Sequence, residues 1–314
     1  MLAAGLIVTA LAVTAALGVA ELALRAVHFR FRTIPEVQFG WPQPQVIQNE
    51  FQRDPDLIWV TRDYRDRLVR ARHASVIFMG DSCVEFSDYP RLVLARLAAR
   101  DPSLGTGEKL AVPGWSTEQG RAQMTRDVAR LRPRVIAIEF GWNDHWDALG
   151  AADDQVHPGR VTAWVADHLR VYQAWRKARL GLESRRVADP PRRVSLDRYR
   201  DNLTVMVRAG QRTGARVVLI TAPSGHEPGH EPAYLQARHL RRLETLVPLH
   251  RSYVEATRQV AARTGATLCD AAAQAASAGL DRGRYFRSDG IHFTEAGDAL
   301  MADVVSACIA QAAR

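Results

Sequence analysis

From Ser75 onward, short runs of apolar and β-branched residues alternate with amphipathic stretches along the chain. Short runs of this kind are typical of buried strands, whereas apolar positions three or four residues apart indicate helices. The predicted strands are residues 75–79, 109–112, 134–140, 216–221 and 266–269. The predicted helices are residues 89–100, 117–131, 196–211 and 294–312.

The order of these elements favours a parallel sheet. Parallel strands need crossover connections, and the helical stretches between the strands supply them. We therefore expect one α/β domain over residues 75–314, with helices on both faces of its sheet. Ligands of such sheets bind beyond the carboxyl ends of the strands, so the residues at those ends are the first candidates for a site.

The N-terminus carries a different pattern, because residues 2–20 contain no charged side chain. As a helix this run would extend ~28 Å, close to the hydrocarbon thickness of a bilayer. We predict that residues 1–24 are a transmembrane anchor or a signal segment. Arg25, Arg30 and Arg32 follow the run and would place the body of the protein in the cytoplasm, whereas the chemistry described below indicates an extracytoplasmic domain. The orientation stays open at this point.

Residues 25–74 contain several prolines and tryptophans, including Pro35, Trp41, Pro42 and Trp59. Proline at this density opposes regular structure, so we expect an irregular strap on the surface of the domain.

Composition excludes several classes of protein. The chain has 314 residues, 47% of them hydrophobic, which is enough for a large core and excludes a mainly disordered protein. The net charge of +8 comes almost entirely from arginine, and we interpret it as compositional rather than as a nucleic-acid surface. The cysteines, Cys83, Cys269 and Cys308, are too few and too scattered for a disulfide framework or a Cys-rich zinc site.

Blocks of polar and small residues follow three of the predicted strands, and a fourth block comes before the last predicted helix. The blocks are Gly80-Asp81-Ser82, Pro113-Gly114-Trp115, Gly141-Trp142-Asn143-Asp144 and Asp289-Gly290-Ile291-His292. Each block alone is an ordinary turn sequence. Their order, their spacing and the position of the first three at strand ends predict a common site.

These residue types fit nucleophilic catalysis. Ser82 needs a base to remove its proton and donors to stabilise the oxyanion that follows. His292 is the candidate base, and Asp289, three residues earlier, can fix its tautomer. The backbone N–H groups of Ser82 and Gly114 and the side-chain amide of Asn143 are the candidate oxyanion donors.

In this order the four blocks resemble the SGNH (GDSL-type) hydrolase family over about residues 75–312. The resemblance implies a three-layer α/β/α fold with a flavodoxin-like parallel sheet of about five strands. It also implies nucleophile Ser82, the pair Asp289 and His292, and oxyanion donors Ser82, Gly114 and Asn143, with no metal and no cofactor. The chain departs from many relatives after Ser82, where it continues Cys83-Val84-Glu85 instead of a small polar residue and a glycine.

Three neighbouring features have simpler interpretations. Cys83 would point about 100° away from Ser82 on a helix, so we do not expect it to be the nucleophile. Asp81 is better placed for helix capping or loop hydrogen bonds than for reaching His292. Residues 226–230 match the zinc-protease pattern H-E-x-x-H, but Pro228 and Gly229 oppose the helix that this pattern requires. We expect a loop at the rim of the site and no zinc.

Residues 145–194 form an insertion rich in tryptophan and arginine, with Trp146, Trp164 and Trp175. Residues 170–200 hold nine arginines and Lys177 against Glu183, Asp189 and Asp197, a balance of +7. One interpretation is a solvated amphipathic helix with a packed aromatic face. The other is a wall or lid whose tryptophans stack on sugar rings or acyl chains and whose arginines meet an anionic polymer or lipid head group.

The sequence thus predicts a membrane-tethered serine esterase that cleaves an O-acyl ester, such as an O-acetyl ester, of a carbohydrate or lipid through acyl-Ser82. Two alternatives stay open: an acyltransferase that moves the acyl group to a cell-surface polysaccharide, and a non-catalytic protein that binds a polysaccharide or a partner. No nucleic-acid partner is expected.

Overall fold

Seven strands are defined in this computed structural model, which describes residues 2–31, 50–148, 152–156, 159–186, 190–277 and 282–314. They are β1 (Phe51–Asp54), β2 (Ile58–Thr61), β3 (Val76–Gly80), β4 (Gly107–Lys109), β5 (Val135–Glu139), β6 (Arg216–Ile220) and β7 (Thr267–Cys269).

The last five strands form one parallel sheet in the order β4-β3-β5-β6-β7. Counted within this sheet, the order is 2-1-3-4-5, which is the flavodoxin-like arrangement and confirms the predicted fold class. The order reverses between β3 and β5, so the crevice at their carboxyl ends is the expected ligand site. Ser82 follows β3 directly, and Asn143 follows β5 after a short loop.

The strand predicted at residues 109–112 begins earlier in the structure. Residues 107–109 pair with β3, and residues 110–112 do not form a regular ladder with it. The chain nevertheless continues beside β3, because Leu110 N donates to Phe78 O and Val112 N donates to Gly80 O. The apolar residues 110–112 therefore indicate a buried segment rather than a regularly paired strand.

The described helices begin and end as follows. They are α1 (Leu2–Ala26), α2 (Tyr64–Ala71), α3 (Ser82–Glu85), α4 (Tyr89–Ala98), α5 (Thr117–Gln123), α6 (Arg160–His168), α7 (Arg170–Arg186), α8 (Leu196–Arg212), α9 (Tyr234–Arg238), α10 (Leu246–Thr264), α11 (Ala271–Ser277), α12 (Arg282–Tyr285) and α13 (Glu295–Ala312). Helix α5 continues through a π-helical turn (Met124–Val128) and a last α-helical turn (Ala129–Leu131). The four predicted helices are confirmed within a few residues, while α10 was not predicted.

Two hydrophobic layers cover the sheet, because successive side chains of a strand point to opposite faces. Val76 and Phe78 pack with residues of α4 and α13 on one face. Ile77 and Met79 pack with residues of α5, α8 and α10 on the other. This alternation produces the three-layer α/β/α architecture.

The prediction of an irregular strap over residues 25–74 is wrong for its second half. Strands β1 and β2 form an antiparallel hairpin, and α2 follows it. Trp59 and Leu57 of this segment are buried against the sheet domain, and this burial stabilises a hairpin that the sequence pattern does not show. Residues 32–49, which include Pro35 and Trp41, lie outside the described residues.

One disulfide joins Cys269 at the end of β7 to Cys308 in α13. The three cysteines do not form a framework, as expected, but the sequence analysis did not identify this pair. Cys83 is free and buried.

Candidate active site

Ser82 stands at the sharp turn from β3 into α3. A side chain at Gly80 could not fit there, since a Cβ would lie 2.3 Å from Val84 Cγ2 and 2.7 Å from the carbonyl oxygen of Glu139. Asp81 caps α3, because its Oδ1 accepts a hydrogen bond from Cys83 N at 2.8 Å. The tight turn therefore places Ser82 at the first position of the helix, with its N–H at the open end.

Ser82, His292 and Asp289 form one hydrogen-bonded chain. Ser82 Oγ lies 2.9 Å from His292 Nε2, and His292 Nδ1 lies 2.7 Å from Asp289 Oδ2. With its Nδ1 hydrogen directed at Asp289, the imidazole presents the Nε2 lone pair to the serine hydroxyl. The structure brings together the three residues that the sequence predicted as nucleophile, base and acid.

The Asp289 carboxylate is held by more than the imidazole. Its Oδ1 accepts the backbone N–H groups of Ile291 (2.8 Å) and His292 (2.9 Å). Burial opposes ionisation, but these hydrogen bonds and the charge of His292 outweigh it and lower the pKa of Asp289 to about 2. Asp289 is therefore ionised at neutral pH and fixes the orientation of His292.

Asp81 has a second contact, which orients Asn143. Its Oδ2 accepts a hydrogen bond from Asn143 Nδ2 at 2.9 Å, so one hydrogen of that amide is directed at Asp81. The side chains of both residues are buried, and burial raises the pKa of Asp81. The sequence analysis assigned Asp81 to capping and loop hydrogen bonds, and both are confirmed.

Gly114, the third candidate oxyanion donor, has a φ of +81°, a region that favours glycine. Its N–H and that of Ser82 make no hydrogen bond within the described part of the chain. The peptide that carries the Gly114 N–H is fixed from its other side, where Pro113 O accepts a hydrogen bond from Trp59 Nε1 at 3.2 Å. Because carbonyl and N–H point in opposite directions across a trans peptide, this contact sets the direction of the N–H.

A buried ion pair holds the next peptide of the same loop. Arg193 Nη1 donates to Gly114 O at 2.9 Å, while its Nε and Nη2 form a bidentate pair with Asp153 at 3.0 and 2.7 Å. Both side chains are fully buried. Ser116 Oγ donates to the same carboxylate at 2.7 Å. From the sequence, Arg193 was only one of the nine arginines in residues 170–200, and this contact was not predicted.

Glu85, one of the departures after Ser82, has a structural partner. Arg67 of α2 donates from both Nη atoms to the two carboxylate oxygens of Glu85, each at 2.6 Å. Helix α2 thereby supports the far end of the short helix α3 that carries Ser82. Cys83 beside the nucleophile is buried, and burial raises the pKa of its thiol, so it is not an available thiolate.

Residues 226–230 are not helical, in agreement with the sequence analysis. His226 Nε2 lies 2.8 Å from the carbonyl oxygen of Asp289, and its Nδ1 lies 3.1 Å from Ser224 Oγ. Burial lowers the pKa of His226 to about 4, so the ring is neutral and supports the Asp289 turn. Among the described residues, no group of three or more His, Cys, Asp or Glu side chains could hold a metal ion.

A buried aromatic cluster lies behind the third block. Trp142 stacks on His250 with ring centroids 3.9 Å apart, and His250 Nδ1 lies 3.1 Å from His145 Nε2. Burial lowers the pKa of both histidines, to about 4 for His250. These rings are neutral packing groups rather than acids or bases, and they hold the loop that carries Asn143.

The tryptophans of the insertion differ in burial, so one part fits the interpretation of a packed aromatic face and another part has the exposed tryptophans expected of a wall or lid. Trp146 is buried beside Trp142, whereas Trp164 in α6 and Trp175 in α7 are exposed. The ends of the insertion are tied together by a bridge between Asp147 and Arg192. Several arginines of residues 170–200 form ion pairs with carboxylates. The pairs are Arg192 with Asp147, Arg193 with Asp153, Arg198 with Glu118 and Arg200 with Asp197.

Solved structures share this fold. An α/β hydrolase from the metagenome of Lake Arreo, Spain, is 20% identical, with a TM-score of 0.50 over 76% of this chain and 98% of the other. A variant of an acetyl-xylooligosaccharide esterase from Geobacillus stearothermophilus is 18% identical, with a TM-score of 0.50 over 76% and 96%. No curated protein matches the chain.

At the level of sequence, the model of the family described as GDSL-like Lipase/Acylhydrolase matches residues 78–300. The match includes all four blocks of the candidate site. Since it covers most of the chain and the sheet has the order expected of the fold, the chain belongs to the GDSL-like lipase/acylhydrolase family of carboxylic ester hydrolases.

Proposed function

We propose that the protein hydrolyses O-acyl esters of a carbohydrate or lipid, with acetyl as the acyl group, through an acyl-Ser82 intermediate. The observation that carries this proposal is the continuous hydrogen-bonded chain from Ser82 Oγ through His292 to Asp289.

In the first step His292 Nε2 takes the Ser82 proton while Oγ attacks the ester carbonyl carbon. The developing oxyanion accepts hydrogen bonds from Ser82 N, Gly114 N and Asn143 Nδ2. His292 then returns the proton to the leaving alcohol. In the second step His292 takes a proton from a water molecule, whose oxygen attacks the acyl carbon. His292 then returns that proton to Ser82 Oγ as the acyl–Oγ bond breaks, which releases the carboxylic acid and regenerates Ser82.

We further propose that the catalytic domain is tethered to a membrane on its extracytoplasmic side. The helix Gly5–Ala26 contains an 18-residue stretch with a mean hydropathy of 2.1, and none of that stretch is buried in the structure. By length and composition this helix fits a membrane anchor and equally a signal sequence. The disulfide between Cys269 and Cys308 supports an oxidising compartment for the rest of the chain, because such bonds are rare in the cytoplasm.

The test uses Ser82→Ala and a fluorophosphonate probe on intact and lysed cells. We expect the native chain to be labelled in intact cells and to hydrolyse p-nitrophenyl acetate, and the variant to do neither while keeping its circular dichroism spectrum. Activity that persists in Ser82→Ala would disprove the nucleophile, and labelling only after lysis would disprove the extracytoplasmic location.

A further inference from the structure

The end of α1 fits the junction between the two helices of the insertion. Glu21 Oε2 accepts a hydrogen bond from Val171 N, in the first turn of α7, at 2.9 Å. Arg25 Nη2 donates to the carbonyl oxygen of His168, the last residue of α6, at 2.8 Å. A carboxylate at a helix N-terminus and a guanidinium at a helix C-terminus are the favourable pairings with the helix dipoles.

This contact fixes where α6 and α7 lie relative to the apolar part of α1. Residues 5–26 extend ~33 Å as a helix, about the thickness of the hydrocarbon core of a bilayer. Glu21 and Arg25 lie in the last two turns and are the polar end of this segment. If α1 spans a membrane, the α6–α7 junction is therefore held at the bilayer surface.

The exposed faces of α6 and α7 have the composition of a membrane interface. Val161 and Trp164 are exposed three residues apart on α6. Trp175 and Leu182 are exposed seven residues apart on α7, with Arg179 between them over the Trp175 ring at 5.5 Å. Apolar residues at this spacing usually face a core, whereas here Trp164 is 56% and Trp175 51% exposed. Tryptophan with arginine is typical of the head-group region.

The insertion is also fixed to the catalytic domain. Its last residues include Arg193, whose buried pair with Asp153 reaches the Gly114 loop, and Asp167 of α6 pairs with Arg53 of the hairpin at 2.9 Å. The insertion leaves the sheet after β5, at the same carboxyl edge as Ser82. A surface that holds α6 and α7 would therefore hold the catalytic edge at a defined distance from it.

We propose that α6 and α7 form a membrane-docking surface, which lies on the head groups of the bilayer that α1 crosses, with Trp164 and Trp175 inserted at the interface. This inference rests on the proposed anchoring by α1. The ligand of this surface is the lipid bilayer. The hydrogen bonds that join the polar end of α1 to the α6–α7 junction, next to the exposed tryptophans, support lipid over a protein partner.

The test uses the full-length chain in nanodiscs of phosphatidylcholine and phosphatidylglycerol. Nitroxide labels are placed on Trp164→Cys and Trp175→Cys, with Val69→Cys on α2, 57% exposed, as the matched control. Labelling is selective because Cys83 is buried and the other cysteines are bonded. Retained hydrolysis of p-nitrophenyl acetate shows that each variant is folded.

We expect the labels at 164 and 175 to be several-fold less accessible to a water-soluble nickel complex than the label at 69, and more accessible to oxygen. Equal nickel accessibility at all three positions would overturn the inference, as would labels at 164 and 175 that are shielded from both reagents by a second copy or another protein. Alkaline carbonate extraction and intact mass report separately on α1. Release of the chain, or loss of its N-terminal segment, would refute the anchor itself.

Discussion

Trp59 Nε1 donates a hydrogen bond to Pro113 O, and the carbonyl of Trp59 accepts one from Trp115 Nε1 at 2.9 Å. The β1–β2 hairpin, which precedes the residues matched by the family model, thus forms hydrogen bonds on both sides of Gly114, with Pro113 and with Trp115. The buried indole rings of Trp59 and Trp115 therefore fix the position of the hairpin relative to the Gly114 loop.

Replacement of Trp59 by Phe removes the donor to Pro113 O and keeps most of the packing. We expect kcat to fall by ~10-fold with little change in KM, less than the ~10²–10³-fold that loss of an oxyanion donor costs. Affinity for a boronic acid transition-state analogue should fall in parallel. Gln52→Ala in the same hairpin is the control, and an equal loss in that variant would mean general damage to the hairpin.

Replacement of Asn143 by Ala removes one candidate oxyanion donor, and we expect kcat to fall by about 10²-fold. Since Asp81 orients this amide, Asp81→Ala should cost less in the Asn143→Ala background than in the native chain. A double-mutant cycle in steady-state kinetics measures the difference. Strictly additive effects would show that Asp81 acts independently of Asn143.

Arg193→Met leaves the Asp153 carboxylate buried without its partner. We expect a loss of about 3–5 kcal/mol in the free energy of unfolding, measured with denaturant. The double variant Arg193→Met, Asp153→Leu should recover part of that loss, because it removes the unpaired charge. Arg130→Met, at an exposed position, is the control and should change stability by less than about 0.5 kcal/mol. A single variant as stable as the control would show that the pair contributes nothing.

Glu139 at the end of β5 is fully buried, and its Oε2 accepts a hydrogen bond from Tyr89 at 2.7 Å. Burial raises the pKa of Glu139 to about 8. The folded state therefore favours the protonated form, and the stability that this provides is complete below the ordinary carboxyl pKa and is lost as the pH rises through about 8. Glu139→Gln should flatten the decrease of the melting temperature between pH 5 and pH 9. An unchanged profile in the variant would contradict a buried protonated carboxyl.

Most of the sheet could be predicted, because its strands are short apolar runs that are buried on both faces. The triad could be predicted as well, since Ser82 stands at the turn after a strand and Asp289 and His292 stand in the turn before the last helix. The contacts that hold these turns could not. Trp59 lies 54 residues from Pro113, and Arg193 lies 79 residues from Gly114, so no local pattern relates them.

The hairpin was missed for a related reason. The residues around Trp59 include Pro55 and a short apolar run, and only burial against the sheet domain makes them regular. Likewise, the sequence of the insertion suggests one cationic surface. In the structure, Arg192 and Arg193 form ion pairs with Asp147 and Asp153, which are distant along the chain.

The disulfide closes a ring of the chain from Cys269 to Cys308, and both Asp289 and His292 lie inside that ring. A protease that cuts once between the two cysteines cannot separate the base and its acid from the rest of the enzyme. The two pieces remain one covalent molecule until the bond is reduced. In an environment with extracellular proteases, this topology protects the catalytic pair from loss by a single cut.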